Sequence, residues 1–107
     1  MPQPPDLSLE QRQAALAKAV EARRTRAVLK EQLKAGAFGL SEVFERAQSE
    51  PVIAGTKMLT ILESLPAVGK VKARRTMESV GIAPSRRVRG VGTIQRDELL
   101  RAFPPPP

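Results

Sequence analysis

The chain contains no cysteine, no histidine, no tryptophan and no tyrosine, and its three aromatic residues are Phe38, Phe44 and Phe103. Each absence removes a class of chemistry. Without Cys and His there are no thiolate or imidazole metal sites, no disulfides, no cysteine nucleophile and no histidine-based triad. With so few aromatics, base stacking on aromatic platforms is not the expected binding mode. A chain without cysteine suits a reducing cytoplasm. Long apolar runs are missing too: no stretch reads as a membrane span or as the core of a signal peptide. A soluble cytoplasmic protein with no membrane contact is expected. No Walker loop, dinucleotide fingerprint or nucleophilic-serine motif is present. The nearest acidic sets are Glu42 with Glu45 and Asp97 with Glu98. Neither is marked as a catalytic pair, and the second set is expected in the first turn of a helix, where it favours the dipole. No enzymatic activity, cofactor or metal is expected.

What the chain does have is positive charge. Its 107 residues carry 18 Lys and Arg against 11 Asp and Glu, a net +7. That length supports one compact domain plus an arm, not two domains. A strong basic excess on a small chain points to a polyanion partner, most often nucleic acid. The charge is uneven. Residues 1–34 have a net +3, residues 35–56 a net −2, and residues 57–107 a net +6.

The pattern along the chain is helical throughout, with no sustained strand alternation. Three prolines in Met1 to Leu7 predict a flexible leader over residues 1–8. Ser8 is a candidate N-cap for a helix over residues 9–34, rich in strong helix formers and free of Gly and Pro. Leu9, Leu16, Val20 and Ala27 share one of its faces, which reads as a core stripe. Arg12, Arg23 and Lys30 flank that stripe at about 100° per residue, and read either as a solvated face or as a basic arm. Ser41 is a candidate cap for a short helix with Leu40, Val43, Phe44 and Ala47 facing the core. Pro51 to Thr56 reads as a connection, with Thr56 capping the next helix. That helix carries Met58, Leu59, Ile61, Leu62 and Leu65 and is expected to be buried on most sides. A further helix runs from Lys70 to Val80, with Ala73, Met77 and Val80 inward and Gly81 closing it. The last spans about Ile94 to Phe103. A polyproline tail over 104–107 follows.

Two segments carry the charge chemistry. The first is Leu65-Pro66-Ala67-Val68-Gly69-Lys70-Val71-Lys72. Pro66 ends one helix, Gly69 permits a backbone conformation other residues resist, and Lys70 opens the next helix. A helix start with unpaired amides and a lysine beside it is suited to phosphate. Two helices joined this way resemble a helix–hairpin–helix, which reads backbone shape and not bases. The second is Arg86, Arg87 and Arg89, bracketed by Pro84 and Gly90. Guanidinium groups bind phosphate in bidentate fashion and enter narrow minor grooves.

These segments carry a family resemblance. Glu10-Gln11-Arg12 and Ala22-Arg23-Arg24, the stretch Leu62 to Ala73, and Ile82 to Gly92 resemble actinobacterial integration host factor, from about Leu7 to Phe103. The resemblance implies an all-α fold, with a long N-terminal helix packed on a helix–two-turns–helix module over residues 40–103. It implies a nucleoid-associated protein that binds duplex DNA with little sequence preference through the phosphate backbone and minor groove. Effects on topology, compaction and site-specific integration follow from it, with a phage-type integrase complex as a further partner and a monomer in solution. The implied contacts are Val68, Gly69, Lys70 and Lys72 at the hairpin and Arg86, Arg87 and Arg89 in the turn. Arg74 beside the hairpin and Arg23 and Lys30 on the arm are further candidate DNA contacts by charge and position. Where the family pattern has Gly-Lys-Met-Lys, this chain has Ala54-Gly55-Thr56-Lys57. That change, the leader and the tail suggest a diverged paralogue.

The same module serves a ribosomal protein, so structured RNA is the alternative partner. It also occurs in DNA glycosylases, one family of which uses an N-terminal proline as nucleophile. Pro2 alone does not make this chain one of them: it lacks the zinc-finger cysteines and the length of a second domain.

Overall fold

The computed structural model describes residues 8–104. Met1 to Leu7, with Pro2, and Pro105 to Pro107 of the tail lie outside them. The described chain is a set of six α-helices and one 3-10 turn. An isolated antiparallel bridge, Lys57 with Arg87, is the sole β pairing among the described residues.

Helix α1 spans Leu9–Lys34. Ser8 caps it as expected: its Oγ accepts from the Gln11 amide at 3.1 Å, and Gln11 Oε1 accepts from the Ser8 amide at 2.9 Å. The expected core stripe is not where the core lies. Leu9, Leu16 and Val20 are 72%, 63% and 50% exposed, while Leu29 and Leu33 are buried. The stripe is a true helical face, but Leu29 and Leu33 sit roughly 140° round the helix from it. Only the last turns of α1 dock on the rest of the protein, through α3 and α4. The outer turns, with every residue from Ser8 to Lys18 exposed, project as an arm.

Helix α2 spans Leu40–Ala47 with Gly39 as its N-cap. Ser41 therefore lies inside the helix and does not cap it. Burial of Leu40 carries the helical register one residue further back than the polar signal indicated. Val43 is buried with it, and Phe44 and Ala47 pack at the core's edge. Pro51 to Thr56 is more than a connection. Pro51–Ala54 forms a short helix α3, with Pro51 at its first position, where a missing amide costs nothing. Ile53 drops into the core from it. Thr56 does not cap the next helix either. It is buried, and its hydroxyl donates back to the Val52 carbonyl at 2.7 Å.

Helix α4, Met58–Ser64, is the centre of the core, with Met58, Ile61 and Leu62 fully buried and Leu65 nearly so. It packs on α1 and on α5, Gly69–Val80. Ala73 and Met77 face inward from α5. Gly81 closes α5 at φ +82°, its neighbour Ile82 donating to the Met77 carbonyl at 2.8 Å and burying its side chain. A 3-10 turn, Val88–Gly90, leads to helix α6, Thr93–Ala102. Leu99 and Phe103 hold α6 against the core. Because α6 starts at Thr93, with the Gly92 amide donating to Gln95 Oε1, Asp97 and Glu98 lie past its first turn. The dipole stabilisation expected for them does not apply.

Candidate nucleic-acid interface

The hairpin joins the C-terminus of α4 to the N-terminus of α5. Pro66 interrupts the helix, and the Val68 amide donates to the Leu65 carbonyl at 3.3 Å. Gly69 has φ +70°, the left-handed conformation its glycine permits. Ala67 adopts φ +61° without being glycine, which nothing in the sequence signalled. No side chain caps α5, so its first amides have no side-chain partner, and Lys70 beside them is exposed. Lys72 points elsewhere. Its Nζ lies 5.7 Å from the centroid of the Phe103 ring, a cation–π contact that ties α5 to the end of α6. With Arg75, Arg101 and Glu98 it lines an open groove between α5 and α6. Arg74 is exposed on α5 and does not line that groove.

The arginine turn is held from behind. Val88 is buried, the Val88 amide donates to the Thr56 carbonyl at 2.9 Å, and the Met58 amide donates to the Arg86 carbonyl at 2.9 Å. These bonds clasp the turn to the α3–α4 junction. The three arginines then diverge. Arg86 folds over its own turn, donating to the Gly90 carbonyl at 2.8 Å, and a Cβ at Gly90 would lie 2.7 Å from its Cδ. Arg87 reaches across to donate to the Gly55 carbonyl. Arg89 lies beside Gly55, its Nη1 3.4 Å from where a Cβ would stand.

Between α1 and this clasp lies a cleft of about 380 Å³. Arg23, Arg26 and Lys30 line it from α1; Lys57 and Arg87 line it from the opposite side, with Ala27, Gly55, Thr56 and Thr60 between. No carboxylate lines it. The ion pairs among the described residues are Arg46 with Glu50 and Arg96 with Asp97, both outside the cleft. Five cations thus face one concavity. At physiological salt, charges are felt over about 8 Å, so their mutual repulsion is not fully screened and an anion would relieve it.

The structure brings Arg23, Lys30 and Arg87 together as one wall-to-wall site. It adds Arg26 and Lys57, which the sequence reading missed. Arg26 was within reach of it, since residues 23, 26 and 30 share a helical face. Lys57 was not, because its place depends on the bridge to Arg87. The hairpin stands apart, at the other end of α4, about 10 Å along that seven-residue helix.

This arrangement defines a class, a small helix–two-turns–helix protein, and residues 33–103 match the S13-like H2TH domain family. Integration host factors of Mycobacterium tuberculosis and Mycolicibacterium smegmatis are each 50% identical over 99 residues, covering 92% of this chain and 94% of the relative. That of Streptomyces coelicolor is equally similar over 92% of both chains. A solved structure of sIHF bound to an 8-base-pair palindromic DNA superposes with TM-score 0.78 at 48% identity, covering 81% of this chain and 98% of that one. The chain belongs to the integration host factor family of actinobacteria.

Proposed function

We propose that this protein is an architectural DNA-binding protein that engages the duplex through its phosphates with little sequence preference. The observation that carries this reading is the five-cation cleft without a carboxylate. One strand's backbone enters the cleft between arm and clasp. The amides of α5 and Lys70 take a second phosphate run at the other end of α4. The spacing of about 10 Å falls between the widths of the minor and major grooves, so both elements can meet one duplex. Arg89, the arginine of the turn that neither folds back on the turn nor lines the cleft, is the one available to the minor groove. The similarity to a DNA-bound sIHF at nearly half identity supports duplex DNA as the partner.

Through this binding the protein changes DNA topology and compaction in the nucleoid and assists site-specific integration with a phage-type integrase complex. It needs no enzymatic step to do so. Free in solution it is a monomer. The test is a salt titration on unrelated duplexes, with structured RNA as competitor. Each neutralised phosphate contributes about −0.9 to the log–log slope, so the five cleft cations and Lys70 together give about −5.4. A slope near zero, or preferential capture by RNA, refutes the proposal.

A further inference from the structure

The apolar face of the arm is unexplained by the DNA reading. Leu9, Leu16 and Val20 are at least half exposed, and Ala27 continues the face at the edge of the cleft. All four lie within about 40° of one another on the helix; Leu9, Leu16 and Val20 point away from the docked face, and Ala27 ends the line at the rim of the cleft. Such a stripe is normally covered in a soluble helix.

We infer that a second copy of this chain covers it, arm against arm and antiparallel, when both copies are bound to DNA. The inference rests on the DNA-binding reading above. The stripe is self-complementary. Turned end for end about position 18, Leu16 of one copy meets Val20 of the other, and Leu9 meets Ala27. Such isologous matching is what a two-fold contact requires. Lys18, at the centre, points to the back of the helix and does not face its own copy.

Charge and area explain why the pairing waits for DNA. In an antiparallel pair the same flank of both helices lies on the same side. Arg12, Arg23 and Lys30 of both copies then form one basic band beside the seam. In free solution this band repels itself. Against a phosphate backbone it is neutralised, and it continues the line of the cleft. Four small or medium apolar side chains per copy also fall well short of the about 1,200 Å² that a stable specific interface buries. Neighbouring molecules on one DNA gain effective concentration, which raises apparent affinity by about a hundred-fold or more without new contacts.

The absence of cysteine makes the contact directly measurable. Equal amounts of Leu16→Cys and Val20→Cys chains, full length, are mixed on a long duplex and mildly oxidised. Mass spectrometry separates the mixed disulfide from the two homodisulfides. On saturated DNA the mixed species should dominate, and it should fall to the level of a Leu9→Cys with Leu16→Cys control when DNA is in large excess. A mixed yield no higher than that control on saturated DNA overturns the inference. A second variant, Leu16→Ser with Val20→Ser, should keep the salt-dependent affinity at low coverage and lose cooperative filling. Retained cooperativity also overturns the inference. Loss of binding by the unsubstituted protein at low coverage would instead overturn the DNA-binding reading beneath it.

Discussion

The hairpin and the arginine turn are both basic and both exposed, yet they are held by opposite means. At the hairpin the backbone is the device: Ala67 and Gly69 sit at φ +61° and +70°, and no side chain caps the helix that follows. At the arginine turn the backbone is ordinary and the device is bonding across the chain, to Gly55, Thr56 and Met58. The hairpin therefore presents amides whose positions are set locally. The turn presents side chains whose positions depend on a partner element and on α1 across the cleft. Local geometry fails at single residues; assembled geometry fails when any wall is removed.

The largest expected effect comes from dismantling the assembled site. Alanine at Arg23, Lys30 and Arg87 together should flatten the salt slope by about 2.7, equally on all sequences, against about 0.9 for Lys70→Ala. Fluorescence anisotropy at several salt concentrations reads both. Equal flattening by the two variants would erase the contrast.

Next comes the backbone-held element. Gly69→Ala forces a side chain into the left-handed region and should cost about 1–2 kcal/mol of stability. A thermal melt should fall by roughly 4–8 °C per kcal/mol for a domain of this size. No change would mean that the turn relaxes at no cost. Gly55→Lys probes the cleft in the opposite direction, by addition. Its Cβ would stand 3.4 Å from the flexible end of Arg89 but 3.3 Å from the Pro51 carbonyl, which is backbone, so the variant should melt lower than the parent while steepening the salt slope by about 0.9. An unchanged slope would place that side chain outside the phosphate path.

The smallest effect concerns an ion pair that lines neither the cleft nor the hairpin, although its elements pack against the arginine turn. Arg46 donates to Glu50 at 2.8 and 3.1 Å, and this hydrogen bonding holds the Glu50 carboxyl below its ordinary value and raises Arg46. A lowered folded value means the contribution is present above the unfolded value and is lost as pH falls through the folded one. Melts of Glu50→Gln should lie slightly below those of the parent at neutral pH and converge with them in acid. DNA binding should not move at any pH where the protein is folded.

Some local signals hold. Ser8, Gly81 and the proline–glycine–lysine order of the hairpin each act within a few residues, and each stands where expected. The cap signals of Ser41 and Thr56 are equally local and fail, because burial of Leu40 and of Thr56 itself overrides them. Pro51 misled because a residue that ends helices also begins them, and only the burial of Ile53 shows which role it has here. The stripe of α1 misled for another reason. Periodicity identifies a face but not the side on which the rest of the chain will lie. The all-helical architecture was therefore legible, and so were the cations of the arm and of the turn taken separately. Their meeting was not, because it depends on the Lys57–Arg87 pairing between distant parts of the chain.

That pairing links binding to folding. The Arg87 guanidinium reaches a carbonyl 32 residues back in the chain, and the walls of the cleft come from α1, the α3–α4 junction and the turn. An intermediate with α4 and α5 formed but the clasp open has a hairpin and no cleft. A polyanion that binds the closed form alone adds a free energy of RT ln(1 + [L]/Kd) to its stability, about 2.7 kcal/mol at a hundred times Kd. The clasp would thus be held shut by whatever anion fills the cleft, and the stability of the fold would rise with occupancy.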